Sequence, residues 1–402
     1  MPQRITGAQV VLMVVLGTAA LGCGDGHPES EEDQDSLDRD LVTCSGDYLV
    51  DGIATDEDLR LIANCREITG NLSIEDTLLT QLDEPAGLES VGGSLSIVRN
   101  ASLGDLDGLS RLTSVDGDLL IGWFVDGPSN AALSQVDGLS SLRTVGGHLH
   151  ISANPALAHI DGLTNLQSVG GDLGIHPNNN SLTDLDGLAS LTSVGGFVSI
   201  GFNPALAHVD GLSALASVGG GISLSSNETL SHVDGLWNLQ TSVHVILQNN
   251  PALVDLDGLA GLDSVGSGGI WIYDNNALVD LRGLLGISTV DGGLNIHSND
   301  ALLSLAGLSG ITALGGRLSI QSNDALTDLE ALSGLSSIGD TLSIEYNDSL
   351  PSLAGLASLA SVGGPVRIVD NPVLCQSSVD AVLSGCSSCD EVEDISGNDT
   401  GC

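Results

Sequence analysis

The sequence predicts an all-β solenoid closed by short, disulfide-pinned helical caps, and three observations lead there. From about Ile68 to Cys375 one pattern recurs about a dozen times with a period of roughly 24 residues. Its frame is L-x-I-x-x-N-x-x-L-x-x-L-x-G-L-x-x-L-x-S-V-G-G, read as LHISANPALAHIDGLTNLQSVGG from Leu149 and as LSIQSNDALTDLEALSGLSSIGD from Leu318. Aromatic residues make up only 2% of the chain, so the core is built from aliphatic side chains of similar shape. Finally, every cysteine lies outside the repeat or at its last residue, where a solenoid needs its ends covered. One copy cannot bury its leucines alone, whereas stacked copies form continuous apolar columns and pair each strand with the next.

Taken in chain order, residues 1–22 read as an export signal: Arg4 precedes an apolar run from Ala8 to Leu21 that is too short to span a membrane comfortably. The segment Ala20-Leu21-Gly22-Cys23 resembles a bacterial lipoprotein signal cleaved before Cys23, with Ala20 where Leu is usual. That resemblance implies lipid on Cys23 and a chain anchored to the bacterial outer membrane or cell surface, with periplasmic or secreted placement as the alternatives. Seven cysteines are an odd number for an exported chain, and lipidation of Cys23 leaves six that can pair. Residues 23–42 carry Glu29, Glu31, Glu32, Asp33, Asp35, Asp38 and Asp40 with few apolar residues, which predicts a solvated tether.

Residues 43–67 form the expected front cap, where Thr55-Asp56-Glu57-Asp58 before Leu59 and Leu61 starts a short helix ending near Cys65. In the solenoid, residues 68–374, pairs such as Leu95 with Ile97 alternate with small polar residues, a strand with one buried face. Val-Gly-Gly, as at Val145-Gly146-Gly147 and Val194-Gly195-Gly196, is expected to supply positive φ angles at a corner. A second extended stretch follows at Leu182-Thr183-Asp184-Leu185. The asparagines Asn100, Asn130, Asn154, Asn203, Asn227, Asn250, Asn299, Asn323, Asn347 and Asn371 are expected to point inward and satisfy backbone groups of neighbouring turns.

In the back cap, residues 375–402, Ser377 to Gly385 frames a second helix, and the polar tail from Ser387 reads as loop. Among about 15 connectivities, local closure favours Cys44 with Cys65, Cys375 with Cys386 and Cys389 with Cys402. Cys386-Ser-Ser-Cys389 has redox spacing but no strand-helix context to support that role.

A formal charge of −42, from 52 acidic and 10 basic residues, repels phosphate backbones and argues against nucleic acid; a membrane is expected only through the lipid anchor. Paired positions before the Gly-Leu step carry an acidic and histidine stripe, including Asp184 with Asp186, His208 with Asp210, and His232 with Asp234. Stacked carboxylates suit weak Ca2+ binding, and the histidines a transition metal, whereas the plainer reading has each Asp cap the turn it precedes. No cofactor is otherwise expected. The insertion Trp123 to Pro128 brings in Trp123 and Phe124, and another strand carries Trp271 and Tyr273; these four are the candidate ligand contacts. No nucleophile and base converge in the pattern, so the expected role is non-catalytic binding of an extracellular protein or polysaccharide, with a structural envelope or adhesion spacer as the alternative.

The frame, the entry ANCREITGNLSI from Ala63 to Ile74 and the exit NPVLC from Asn371 to Cys375 resemble the receptor L-domain family, whose repeats are leucine-rich-repeat-like. Copies read N-x-x-L where ordinary leucine-rich repeats read N-x-L, which favours the L-domain version over a horseshoe with an outer helix. The resemblance implies a right-handed single-stranded β-helix with an extracellular binding or structural role, and it carries no catalytic residues.

Overall fold

The computed structural model describes residues 41–52, 55–122, 129–389 and 391–402. Each copy contributes one strand of the L-x-I type, such as Leu95–Val98, Leu149–Ile151 and Leu294–His297. These strands stack in parallel and in register: Leu149 faces Leu173, His150 faces Gly174 and Ile151 faces Ile175. A second parallel sheet is made of two-residue Ser-Val strands, in which Ser193 faces Ser217 and Val194 faces Val218. The third side of each coil is a 3₁₀ turn on the Asp-Gly-Leu step, as at Asp107–Leu109 and Asp186–Leu188. Identical residues therefore stack on one another, and the Leu, Ile and Val columns are almost wholly removed from water. The fold is a parallel β-solenoid of leucine-rich copies, with no α-helix among the described residues between Asn71 and Leu374.

Two local expectations are corrected. The Val-Gly-Gly glycines do not hold positive φ. They are required because successive corners touch: a Cβ on Gly146 would lie 2.2 Å from the Asp116 carbonyl oxygen, and one on Gly195 would lie 2.0 Å from that of Gly170. The left-handed conformation falls instead on non-glycine residues just before the recurring asparagine, including Ala153, Phe202, Ser226 and Tyr346, with φ from 56° to 58°. The asparagine makes that corner tenable. Asn227, fully buried, donates from Nδ2 to the Ile200 carbonyl (3.1 Å) and accepts at Oδ1 from the Asn203 amide (3.3 Å). The ladder runs from Thr77 on Asn100 to Asn371 on Asn398 and also takes in Asn179 and Asn275, which complete the column.

The stretch at Leu182–Leu185 does not build a third ladder, since Thr183 N–H to the Ala158 carbonyl, at 3.2 Å, is its backbone link to the coil before. In two successive copies the corner changes length. The first-sheet strand starts four residues after the second-sheet partner at Val194 and Val198, three after at Ser242 and Val245, and five after at Val265 and Ile270. Short and long corners lie on each other, and the strands Thr241–Gln248 and Ser264–Tyr273 run through both sheets.

Parallel pairing continues on both sides of the sequence repeat. Tyr48–Asp51 pairs with Leu72–Glu75, and Val42–Cys44 pairs with Cys65–Ile68. Helix α1, Thr55–Ile62, connects them and starts with the Thr55 hydroxyl donating to the Asp51 carbonyl. At the other end helix α2, Gln376–Gly385, is followed by Val392–Ser396, a strand paired with Val366–Val369 where a loop was expected. Polar side chains are tolerated there because one face of this last strand meets water.

The disulfides join Cys44 with Cys65, Cys375 with Cys402 and Cys386 with Cys389. Local closure succeeded at the front and failed at the back. The last strand folds the chain back onto the solenoid, so Cys402 lies beside Cys375, and Cys386 at the end of α2 meets Cys389 across one turn.

Candidate ligand-binding face

On the first sheet, the residue before the Leu, the residue between Leu and Ile, and the residue after Ile all point outward, which gives three columns along the solenoid. The middle column is small at Ser73 and Ser96, at Ser319 and Ser343, and over three consecutive coils at Gly174, Ser199 and Ser223, where it is flanked by His150 on one side and by Ile246 and Trp271 on the other. The adjacent column is small as well, at Gly201 and Ser225. The result is a basin between taller neighbours.

Rings surround that basin. Phe197 and His244 stand two coils apart and lean together over Gly221, their centroids 5.4 Å apart and their planes 21° from parallel. A Cβ on Gly221 would lie 2.3–2.4 Å from three atoms of the His244 ring, so the imidazole presents its face to the glycine. His150 sits over Gly174 in the same way, where a Cβ would meet its Nδ1 at 2.4 Å, and His176 closes that end, 6.3 Å from His150 between centroids. Two adjoining cavities result, of about 390 and 320 Å³, sharing His176, Ser199 and Ser223. Phe202 and Gln248 bound the second one.

Burial pushes the imidazoles of His150, His176 and His244 below their ordinary value, with His176 and His148 adding repulsion at His150. They are neutral at neutral pH and offer both a donor and an acceptor. Asp172 brings the one carboxylate to the basin lining, and the Ser223 and Ser225 hydroxyls lie 3.1 Å apart on its floor.

On the coil next to His244 and Gln248, the same face carries Trp271 and Tyr273 as the sequence indicated, their rings perpendicular with centroids 5.6 Å apart. Trp271 donates from Nε1 to the Gly268 carbonyl (2.7 Å), and the Arg317 guanidinium lies 5.0 Å from its ring centroid. Arg317 also donates to Asn295 Oδ1. His297, beside Tyr273, has its pKa pushed down to about 4 by burial and by the Arg317 charge. Its Nε2 lies 2.8 Å from Ser319 Oγ, yet Ser319 is 2% exposed and the imidazole is a weak base, so this pair is not an accessible nucleophile. Trp123 and Phe124 lie outside the described residues, as does Cys23.

The acidic stripe is spread along the 3₁₀ side. Its first member caps the turn, rather than the second as expected: Asp184 Oδ1 accepts from the Asp186 amide (3.2 Å), as Asp255 Oδ1 does from Asp257. His208 and His232 take that first position and stack, 6.0 Å between centroids and 4° from parallel. Their Nδ1 atoms are 3.4 and 3.7 Å from the two oxygens of Asp210, and His232 Nδ1 is 3.6 Å from Asp234. Among the described residues no three His, Cys, Asp or Glu side chains converge as metal ligands. Asp107 shows the electrostatic cost of the stripe: burial raises its pKa, and so do Asp105, Asp137 and Asp83.

The basin is not legible in any single copy of the repeat. Its components are 24 or so residues apart, and only aligning the copies column by column brings the glycines, serines and rings together.

The register and the columns define the class: a leucine-rich parallel β-solenoid with an outward strand face. No protein-family model matches the chain, and no curated protein does. Among solved structures, an internalin (inlF) from Listeria monocytogenes is similar at 16% identity over 78% of this chain and 88% of its own, with a TM-score of 0.33. The structure of a TLR13–ssRNA13 complex is similar at 13% identity over 89% of this chain and 74% of its own, with a TM-score of 0.19. With both scores below 0.5, the class rests on this chain's own strand register. Among the described residues no helix is long and apolar enough to cross a membrane.

Proposed function

We propose that this chain is a non-catalytic binding module, the L-domain version of the repeat, exported and held through Cys23 at a bacterial outer membrane or cell surface. Its three disulfides suit an oxidising compartment. The observation that carries the binding role is the ring-edged basin. The chain has 3 Phe and 9 His, and two of those Phe and four of those His (148, 150, 176 and 244) gather at one place on the strand face. A spacer with no ligand has no need of such a gathering. The partner is an extracellular polysaccharide or protein, and the cluster at Trp271 and Tyr273 extends the contact surface along the same columns.

The test uses the full-length protein, purified in detergent and fixed to beads, with radiolabelled wall and capsule extract of the source bacterium. The wild type is expected to retain at least about fivefold more label than Phe197→Ala/His244→Ala, provided the two melt at the same temperature. Equal retention by both overturns the binding role of the basin and favours the spacer.

A further inference from the structure

The basin's own chemistry narrows its occupant, on the reading that it is a binding site at all. We infer that it takes a neutral oligosaccharide, with the apolar face of a sugar ring on the Phe197–His244 shelf and its hydroxyls toward Ser199, Ser223, Gln248 and Asp172. Four observations point this way. First, the shelf is a slipped pair of rings with Phe197 46% exposed, and such a flat apolar surface matches the C–H face of a pyranose. Second, the floor is glycine and serine: it offers hydroxyl groups and close backbone approach, not the deep aliphatic pocket that a Leu or Phe side chain of a protein partner fills.

Third, strand addition by an extended peptide is closed off, because Val198–Gly201 is already paired on both sides, with Leu173–Ile175 and with Ile222–Ser225. A ligand meets side chains alone here. Fourth, the lining brings one carboxylate and no Lys or Arg, within a chain of charge −42, so an anionic polymer meets repulsion and finds no counter-charge. Neutral imidazoles, hydroxyls and a carboxamide instead supply donors and acceptors in the mixture that a polyhydroxylated ring uses. The small residues run over three coils, roughly 10 Å at about 4.8 Å per coil, room for two or three sugar units along the axis.

Calorimetric titration of the full-length protein with cellohexaose, maltohexaose, mannohexaose and chitohexaose, against hexagalacturonate as the anionic comparator, tests it. At least one neutral hexamer is expected to bind, with affinity at least about tenfold above hexagalacturonate. Ser199→Leu is the decisive variant: it fills the floor, and it folds because the same column already carries Leu120 and Ile246. It is expected to weaken the neutral hexamer at least about tenfold, as Phe197→Ala does, with an unchanged melting temperature. Failure of every neutral hexamer to bind overturns the inference, as does equal binding by Ser199→Leu or by hexagalacturonate. If the neutral hexamers fail while basin-dependent retention of extract persists and is abolished by protease treatment of the extract, the ligand is a protein and the binding role stands. If retention is also independent of the basin, both fall.

Discussion

Gly307 and Ala331 occupy the same position in consecutive copies, and both depart from the pattern. Elsewhere that position is a glycine whose absent Cβ would strike the preceding coil, as at Gly211, where it would lie 1.7 Å from the Leu185 carbonyl oxygen. Ala331 keeps its methyl in a regular 3₁₀ turn, Glu330–Leu332, stacked on a coil whose Ala306-Gly307-Leu308 step is not a 3₁₀ helix and whose Gly307 has φ of +123°. The coil beneath has rearranged where the methyl stands. Gly187→Ala, placed on a regular coil, is therefore expected to cost about 3 kcal/mol or more, whereas Ala331→Gly changes stability by about 1 kcal/mol or less. Guanidinium unfolding of the two variants checks this; equal effects would show that the coil beneath makes no allowance.

The asparagine ladder makes a second prediction. Asn227→Ala removes an acceptor from the Asn203 amide and a donor from the Ile200 carbonyl, both in the interior. Each unsatisfied group costs about 1–3 kcal/mol, so the variant is expected to lose about 2–6 kcal/mol, read from chemical denaturation. A loss below about 1 kcal/mol would mean that water replaces the side chain.

A pH dependence follows from His297. Its folded pKa of about 4 lies below the ordinary value of 6.5, so as pH falls the unfolded chain takes up the proton first. The contribution of the neutral imidazole is complete above pH 6.5 and is lost as pH falls toward 4. His297→Gln is expected to lose less stability than the wild type between pH 7 and pH 4.5, measured as a shift of denaturant midpoint. His150, His176 and His244 keep a residual slope in the variant, since burial lowers each of them.

The front disulfide closes a loop between Cys44 and Cys65 at a sequence separation of 21, for which chain entropy gives about 3 kcal/mol. Cys44→Ser/Cys65→Ser is expected to lose about 2–4 kcal/mol and to expose the Val42–Cys44 strand to proteolysis before the middle coils. Simultaneous digestion of all coils would show one cooperative unit instead.

Much of the fold was legible because a repeat writes the same physics many times. Leu95 with Ile97, the inward Asn227 and the helix at Thr55 are each set by local alternation or capping, and each stands where the sequence puts it. What failed was what depends on the coil above or below. Gly195 reads as a conformational hinge until the Gly170 carbonyl is seen against it, and Cys402 reads as a partner for Cys389 until Val392–Ser396 returns the tail to the solenoid. The basin belongs to this second kind: Ser199 is an unremarked small residue unless His150, Phe197 and His244 are known to stand around it. Trp271 was found by residue type alone, and its partner Arg317, 46 positions away in the numbering, was not.

The strict register also governs how this protein can change length. Because every strand is paired with the ones before and after it residue for residue, a change within a strand would shift its side chains to the wrong face, while gaining or losing a whole copy leaves all ladders intact. Length changes are taken up between the strands instead: at the corners Ser242–Val245 and Val265–Ile270, one residue shorter and one longer on touching coils, and in the coil from Leu119 to Leu149, which keeps its register despite its extra residues. Duplication of a single copy between the basin and Trp271 would thus move two recognition surfaces apart by one fixed step, without altering either. The spacing between them is a digital quantity, adjustable by recombination rather than by point mutation.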